Sequence, residues 1–329
     1  MRQVSQKIET FGGSDYFRLV EAADGVYAAI CKAGSGSLGN AAIVDLGDAT
    51  LVVDTTYHLE AARDLRSAAE HLTGRSVTYV LNTHWHADHV HGNQVFAPDA
   101  ILIATDKTRE IMAGFLTERM AKHRAESESL LAAIDEFERD IDSEPDEKIR
   151  LDMREETLCD RSYIRMLPEL RVTLPTLTFE RELWLHGSKR SVQLLSFGGG
   201  HTQSDAIVYV PDARLAIVGD LVLKDFHPTM SHAEPWEWLR ILDRVEALGI
   251  DSIVPGHGEV CSLETLHGVR EYIQYMLGLA VELDPDDEQL DGVTIPEKYD
   301  DWRFRFDFKG NLKKIRSLLA QKGSVGSPS

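Results

Sequence analysis

Short apolar runs separated by turn residues fill the first third of the chain. Runs of four to six apolar residues bounded by Gly, Asn or Asp are typical of β-strands. Between 58 and 73 the apolar positions recur every three or four residues, which predicts an amphipathic helix. This region is therefore predicted to mix strands and helices. The predicted strands lie at 26–30, 41–44, 51–53, 77–81 and 100–104.

The composition of residues 106–170 differs from that of the preceding region, because this segment contains few glycines and many charged residues. Leu130, Ile134, Phe137 and Ile141 fall at i, i+4, i+7 and i+11, which is the spacing of an amphipathic helix. We predict two or three helices that form an insertion between two halves of the fold. The apolar stripe could pack on its sibling helices, cover a cleft as a lid, or form a dimer contact, and the sequence leaves all three open.

From about residue 174 the strand pattern returns, and helical periodicity is found at 235–248, 262–282 and 311–321. Aromatic residues alternate with polar ones between 302 and 308, which predicts a strand or an extended strap. Residues 284–329 are predicted to be a C-terminal extension, because their acidic start follows the helix at 262–282.

The loop after the strand at 77–81 is rich in potential metal ligands. Its sequence H-W-H-A-D-H at 84–89 places three imidazoles and one carboxylate within six residues. Imidazole nitrogen and carboxylate oxygen are ligands suited to zinc and similar divalent ions. One short loop cannot easily wrap all four groups around a single ion, so the loop indicates two neighbouring metals. The alternative is a polar turn exposed to solvent.

Three later positions repeat the order of apolar run, chain breaker and ligand. His201 follows three glycines, Asp220 follows Gly219, and His257 follows Pro255-Gly256. Buried strands of α/β proteins have this pattern, and binding sites form beyond strand ends. Each position alone is weak evidence, but their order behind the first loop indicates one shared site.

The pattern H-x-H-x-D-H at 84–89, followed by His201, Asp220 and His257, resembles the metallo-β-lactamase superfamily. The matched regions run from about residue 25 to residue 259. The resemblance implies an α/β (α+β) fold of four layers, αββα, in which two mixed sheets pack together between helices. We therefore interpret residues 1–329 as a single catalytic domain of this fold, with the helical insertion at 106–170.

The same resemblance implies two zinc ions per chain, although iron or manganese could occupy such sites. The first zinc would be held by His84, His86 and His201, the second by Asp88, His89 and His257, and both by Asp220 as a bridge. Asp88 and Asp220 are the expected catalytic residues. Asp220 would bridge the two zinc ions. Asp88 would bind zinc and also orient a zinc-bound hydroxide that attacks the substrate.

Four further residues are candidates for supporting roles. Asp54 ends a strand and is expected to orient a ligand histidine, or to cap the helix that starts near 58, and both roles could hold. Lys224 could bind a substrate carboxylate, with an ordinary surface lysine as the alternative. His227 and His232 are expected near the rim of the cleft, and His227 is a candidate substrate contact.

Two zinc ions about 3.5–4 Å apart can share a hydroxide at neutral pH. We expect this hydroxide to attack an amide, β-lactam, lactone, ester or thioester carbonyl of a small molecule.

The residue at position 220 bears on the subfamily. The best-known lactamases carry Cys there, whereas Asp220 resembles glyoxalase II, lactonases and arylsulfatase-like and phosphodiesterase-like members. A mononuclear iron persulfide dioxygenase, a phosphodiesterase or sulfatase, and a non-catalytic metal-binding interaction module are the alternatives.

The amino-acid composition limits which binding partners and which cellular location we expect. With 54 acidic and 35 basic residues the formal net charge is -19, which disfavours nucleic acid. Three separated cysteines indicate no disulfide framework, and neither an apolar leader nor an apolar run of membrane-spanning length is visible. We therefore expect a cytoplasmic enzyme with no membrane partner. A homodimer through the helical insertion stays open.

Overall fold

The computed structural model describes residues 8–283, 290 and 292–325. The strands are β1 (Phe17–Ala23), β2 (Val26–Cys31), β3 (Ala41–Asp45), β4 (Thr50–Val53), β5 (Tyr79–Leu81), β6 (Ile101–Thr105), β7 (Leu177–Phe179), β8 (Glu182–His186), β9 (Ser191–Gly198), β10 (Asp205–Val210), β11 (Leu215–Ile217) and β12 (Ser252–Val254). The α-helices are α1 (Leu59–Thr73), α2 (Ala87–Val90), α3 (Asn93–Phe96), α4 (Asp106–Ile111), α5 (Thr117–Ala125), α6 (Ser127–Ile141), α7 (Glu147–Met166), α8 (Pro235–Glu246), α9 (Leu263–Glu282) and α10 (Asp307–Val325).

The strands form two mixed sheets. The first has the order β1-β2-β3-β4-β5-β6-β7, and the second has the order β12-β11-β10-β9-β8. In the first sheet β4, β5 and β6 run parallel, and in the second sheet β11 runs parallel to β12. Parallel neighbours end at the same edge of a sheet. The segments that follow β4 and β5 are therefore brought together, as are those that follow β11 and β12.

Three apolar cores separate four layers. Val26, Ala28 and Ile30 of β2 face the core between the two sheets, while Tyr27 and Ala29 face the core that α1 covers. Burial on both faces explains why β2 is apolar throughout rather than alternating. A third core lies between the second sheet and helices α8, α9 and α10. The predicted four-layer αββα fold is confirmed.

The segment at 106–170 is helical, as predicted. A π-helical turn at Met112–Leu116 joins α4 to α5, and α6 then packs against α7. On the predicted stripe of α6, Ile134 and Ile141 are buried. Leu130, Ile134 and Phe137 line a cavity together with residues of α7. The stripe therefore packs within the insertion and also faces a cleft.

The prediction of a strand or an extended strap at 302–308 is wrong. No strand forms there, since Arg303 makes only a single bridge to Phe226 and turns at 305–306 lead directly into a helix. Phe304 has a φ of 56°, in the left-handed region that a strand does not use. Phe308 already belongs to α10, which begins four residues before the predicted start at 311. Of the predicted extension at 284–329, residues 284–289, 291 and 326–329 lie outside the described residues.

Among the helices that the structure describes, none is both long enough and apolar enough to span a bilayer.

Candidate metal centre

The ligand-rich loop leaves β5 at Leu81 and enters α2 at Ala87. Its backbone is held from two sides. The Thr83 amide donates to Asp54 Oδ1 at 2.7 Å, and the Asn82 side-chain amide donates to the His89 carbonyl at 3.1 Å. His84 and His89 are buried, whereas His86 and Asp88 are partly exposed. The loop therefore presents some ligands to the interior and others to a cleft.

The remaining candidate ligands come from the second sheet. Asp220 lies in the turn after β11, His257 lies after β12, and His201 lies after β9. Gly256 is needed for this arrangement, because a Cβ atom there would lie 1.9 Å from Asp220 Oδ1. The glycines that precede the ligands thus allow two strand ends to approach closely.

Asp220 lies at the centre of the cluster. Its Oδ2 atom is 3.8 Å from His84 Nε2, 3.3 Å from His201 Nε2 and 3.5 Å from His257 Nε2. Its Oδ1 atom is 3.1 Å from His89 Nε2. One carboxylate therefore reaches histidines from both sheets.

The donor atoms form two groups that share Asp220. His84, His86, His201 and Asp220 make the first group, and Asp88, His89, Asp220 and His257 make the second. Within each group the ligand atoms all lie within 4.8 Å of one another. In the second group Asp88 Oδ2 is 3.3 Å from His89 Nε2 and 3.2 Å from His257 Nε2. The structure thus brings together all seven residues that the sequence singled out as ligands.

The cluster fits divalent metal ions. His84 Nε2, His89 Nε2 and Asp220 Oδ1 are buried, and none has a hydrogen-bond partner of normal geometry among the described residues. Buried polar atoms rarely lack a partner, and a cation between them would supply one. Imidazole and carboxylate donors match zinc, and also iron or manganese.

Supporting contacts aim the histidines at the cluster. Thr83 Oγ1 lies 3.0 Å from His84 Nδ1, and Asp54 Oδ2 lies 2.8 Å from His89 Nδ1. Each contact leaves Nε2 facing the other donors, which is how metal-binding histidines are commonly oriented. The alternative in which Asp54 caps α1 is wrong, because His58 is the cap and accepts from the Glu60 amide.

The carboxylates and imidazoles of the cluster shift one another's pKa values strongly. Burial and the neighbouring imidazoles hold the pKa of His84 and His86 well below the usual histidine range. Burial alone would lower the pKa of His257, but Asp220 and Asp88 raise it to about 9. Burial alone would likewise raise the pKa of Asp220, yet His257 and His89 hold it well below normal. The carboxylates thus stay anionic and attract positive charge, whether a proton or a metal ion.

Two residues in contact with the ligands carried weaker signals in the sequence. His232 Nδ1 lies 3.1 Å from His86 Nε2, so it fixes the ring of His86 from the cleft side. Asp205 accepts from the Gly200 amide at 2.7 Å and from the Thr202 hydroxyl at 2.7 Å, which holds the loop of His201. Sequence reasoning placed His232 near the rim and missed Asp205, whose signal is an acidic residue four positions after a ligand.

The two predicted substrate contacts lie in different surroundings. Lys224 and His257 line a cavity of about 530 Å³, and the Lys224 ammonium is 3.6 Å from Asp225. His227 is only 1% exposed and lies between the Tyr272 hydroxyl and the Tyr299 carbonyl, each at 3.1 Å. The prediction that His227 contacts substrate is therefore wrong, because both of its ring nitrogens are used inside an aromatic core.

A second cavity of about 540 Å³ opens beside His86 and Asp88. Helices α5, α6 and α7 form its far wall. Both cavities thus touch the candidate centre, one on the His257 side and one on the His86 side.

Comparison with known proteins agrees with this architecture. The sequence profile of the metallo-beta-lactamase superfamily matches residues 34–257. The metallo-beta-lactamase from Pontibacter korlensis is similar in structure, with a TM-score of 0.56 and 15% identity over 78% of this chain and 99% of that chain. The DIM-1 metallo-beta-lactamase is similar with a TM-score of 0.56 and 14% identity over 79% of this chain and 98% of that chain. At these identities the likeness shows the fold.

Proposed function

The chain belongs to the metallo-beta-lactamase superfamily, and from that membership we propose that it is a binuclear zinc-dependent hydrolase. Its substrates would be small molecules with an amide, β-lactam, lactone, ester or thioester carbonyl. The observation that supports this proposal is the pair of donor groups that share Asp220. A single structural ion would need only one of the two groups.

Two divalent ions, when bound, supply hydroxide at neutral pH and polarise a carbonyl. Asp220 would hold the two ligand groups at a constant separation, since its two oxygens face different histidines. Asp88 would orient the attacking water through its carboxylate, because it lines the cavity that opens at the centre. His86 lines the same cavity, so a substrate carbonyl placed there can reach the reacting water.

The test combines metal analysis with a substrate panel. We expect about two zinc ions per chain in the purified protein, and loss of both metal and hydrolysis in the His84→Ala, His86→Ala double variant. The panel contains a cephalosporin, a homoserine lactone, a glutathione thioester, an aryl sulfate and bis(nitrophenyl) phosphate.

The alternatives give different results in this test. About one iron per chain with oxygen consumption on a persulfide would indicate a dioxygenase. Strong preference for the phosphodiester or the sulfate would overturn carbonyl chemistry while leaving the metal centre intact. Bound metal without turnover of any substrate would indicate an interaction module.

A further inference from the structure

The cavity beside His86 and Asp88 ends on acidic side chains of α7. Glu156 and Asp160 both line it, and they lie four residues apart on the same face of the helix. The cavity is thus bounded by the candidate metal centre on one side and by two carboxylates on another. Its volume of about 540 Å³ is that of a small-molecule pocket.

Among the described residues, neither carboxylate is paired with a cation within 4 Å, and only Asp160 is influenced by a cation, Arg119, at longer range. Both are partly buried, and in the part of the chain that the structure describes neither forms an ion pair or a hydrogen bond. Their neighbour Glu155, in contrast, lies 3.5 Å from the Arg303 guanidinium. Burial, with Asp160 nearby, raises the pKa of Glu156 to about 7. A cation in the cavity would stabilise both charges.

A largely buried tyrosine, Tyr57, lines the same cavity. It is only 9% exposed, yet its hydroxyl has no hydrogen-bond partner among the described residues. Its ring centroid lies 6.3 Å from that of Tyr163, which also lines the cavity. A hydroxyl that lines a cavity and has no protein partner can bond to a molecule bound there.

Arg119 is the one arginine or lysine among the described residues that line this cavity. It lies on α5, is exposed, and comes within 4 Å of no carboxylate in the described ranges. Burial raises the pKa of Asp160 and Arg119 lowers it through space, whereas no cation of the described residues acts on Glu156, so the two carboxylates together outweigh the single positive charge of Arg119. Arg119 could instead attract an anion, and the experiment below includes that outcome.

We propose that this cavity binds the alkylammonium group of a cationic substrate. Glu156 and Asp160 provide the negative charge, and the rings of Tyr57 and Tyr163 contact the methyl or methylene groups beside the nitrogen. The substrate carbonyl then lies toward His86 and Asp88. This inference rests on the proposed hydrolase function, and it narrows the substrate class to small esters or amides with a basic or quaternary nitrogen.

Three 4-nitrophenyl esters of matched shape test the inference on the zinc-loaded protein. They are the esters of 4-(trimethylammonio)butanoate, of its neutral isostere 5,5-dimethylhexanoate, and of the anionic 4-sulfobutanoate. We expect kcat/KM for the cationic ester to exceed that for the neutral ester by about tenfold or more. In the Glu156→Gln, Asp160→Asn double variant the ratio should fall to about one, because kcat/KM for the cationic ester falls.

The matched control is the Glu128→Gln, Glu136→Gln double variant. It removes the same charge from exposed residues of α6 that do not line the cavity, so the preference should persist. An absence of preference for the cationic ester in the parent protein would overturn the inference. So would a preference that survives in the Glu156, Asp160 variant, or a preference for the sulfonate, which would assign recognition to Arg119.

A binding measurement separates this inference from the proposed function. If no ester is hydrolysed, the hydrolase proposal fails, and calorimetric titration with choline and its neutral isostere 3,3-dimethylbutan-1-ol still probes the cavity. Choline binding that weakens about tenfold or more in the double variant supports the ammonium site. Absence of choline binding to the zinc-loaded parent overturns it whatever the esters show.

Discussion

Asp54 shows how one residue can connect the fold to the candidate centre. Its carboxylate accepts hydrogen bonds from the amide and the hydroxyl of Thr83, and it lies 2.8 Å from His89 Nδ1. It is 2% exposed and adopts a φ of 60°, which places it in the left-handed region. One buried carboxylate therefore fixes both the start of the ligand loop and the orientation of a candidate ligand.

Asp54→Asn should weaken metal binding without removing a ligand. An amide accepts through one oxygen only, so it cannot satisfy both Thr83 donors and His89 together. We expect zinc affinity to fall by about 10–100-fold, measured by competition with a chromogenic chelator. The control Asp15→Asn changes an exposed carboxylate and should leave the affinity unchanged. Equal affinity in the Asp54 variant and the parent would argue against the orienting role.

Gly256→Ala should disturb the centre by steric contact alone. The added Cβ would meet Asp220 Oδ1 at 1.9 Å, so either the turn or the carboxylate must move. We expect a loss of about 1–3 kcal/mol in the free energy of unfolding, together with fewer than two metals per chain. Gly278→Ala in α9 is the control, since nothing lies within 4 Å of its Cβ position. That variant should be neutral or slightly stabilising.

Among the elements, α7 has the clearest double role. Its N-terminus is capped by Asp146, which accepts from the Lys148 and Ile149 amides. Cys159 and Met166 pack in a core with Tyr57 and Leu59. The same helix carries Glu156 and Asp160 on the cavity side. The insertion is thus attached to the layers of the fold through one face and lines the cleft with another.

The stability of the protein should depend on pH through Glu156. Burial and the neighbouring carboxylates raise its pKa from 4.5 to about 7. A raised pKa means that the folded state binds the proton more tightly, so this contribution is complete below about pH 4.5 and is lost as the pH rises through about 7. We therefore expect the free energy of unfolding of the parent to fall by on the order of 1–3 kcal/mol between pH 5 and pH 8. In the Glu156→Gln variant this fall should be absent.

Urea unfolding of the parent and the Glu156→Gln variant at both pH values measures this difference. The Glu136→Gln variant, exposed on α6, should retain the pH dependence of the parent. Parallel pH profiles for the parent and the Glu156 variant would show that this carboxyl titrates normally.

In the whole molecule, the candidate centre lies where strand ends of the two sheets meet. The first sheet contributes the loop at 84–89, and the second contributes His201, Asp220 and His257. A ligand that binds only the folded state stabilises it by mass action. Metal bound here would therefore stabilise the packing of one sheet on the other as well as the loops.

Removal of metal should lower the stability of the entire fold. We expect chelation to reduce the free energy of unfolding by about 4 kcal/mol when free zinc had exceeded its dissociation constant by about a thousandfold. Thermal unfolding before and after treatment with EDTA measures the change. Zinc should restore the parent value and magnesium should not, because the donors are mainly imidazoles. An unchanged midpoint after chelation would mean that metal does not join the sheets.

The homodimer through the insertion stays a prediction. Leu131 on α6 is 36% exposed and does not line the cavity, so it is a suitable site for a test. If α6 forms the contact, Leu131→Glu should convert a dimer to a monomer in sedimentation velocity. A parent protein that sediments as a monomer at micromolar concentration would contradict the prediction.

Much of the fold and most of the candidate ligand set could be predicted from the sequence, because both depend on local pattern. Apolar periodicity marked β2 and α1, and the spacing at 84–89 marked a ligand loop at the end of a strand. The glycine before Asp220 and the one before His257 indicated close approach of the backbone. These signals need only the neighbours of each residue along the chain.

Only the tertiary structure decided where side chains meet across distant elements. His227 follows the candidate ligand Asp220 by seven residues, yet it is buried between Tyr272 and Tyr299, which lie in later elements. Glu156 lies in a charged helix like many others until α7 is seen to face His86. Periodicity determines which face of an element is buried, but long-range packing determines which element covers it. The surroundings of the candidate centre therefore depend on contacts that no local pattern contains.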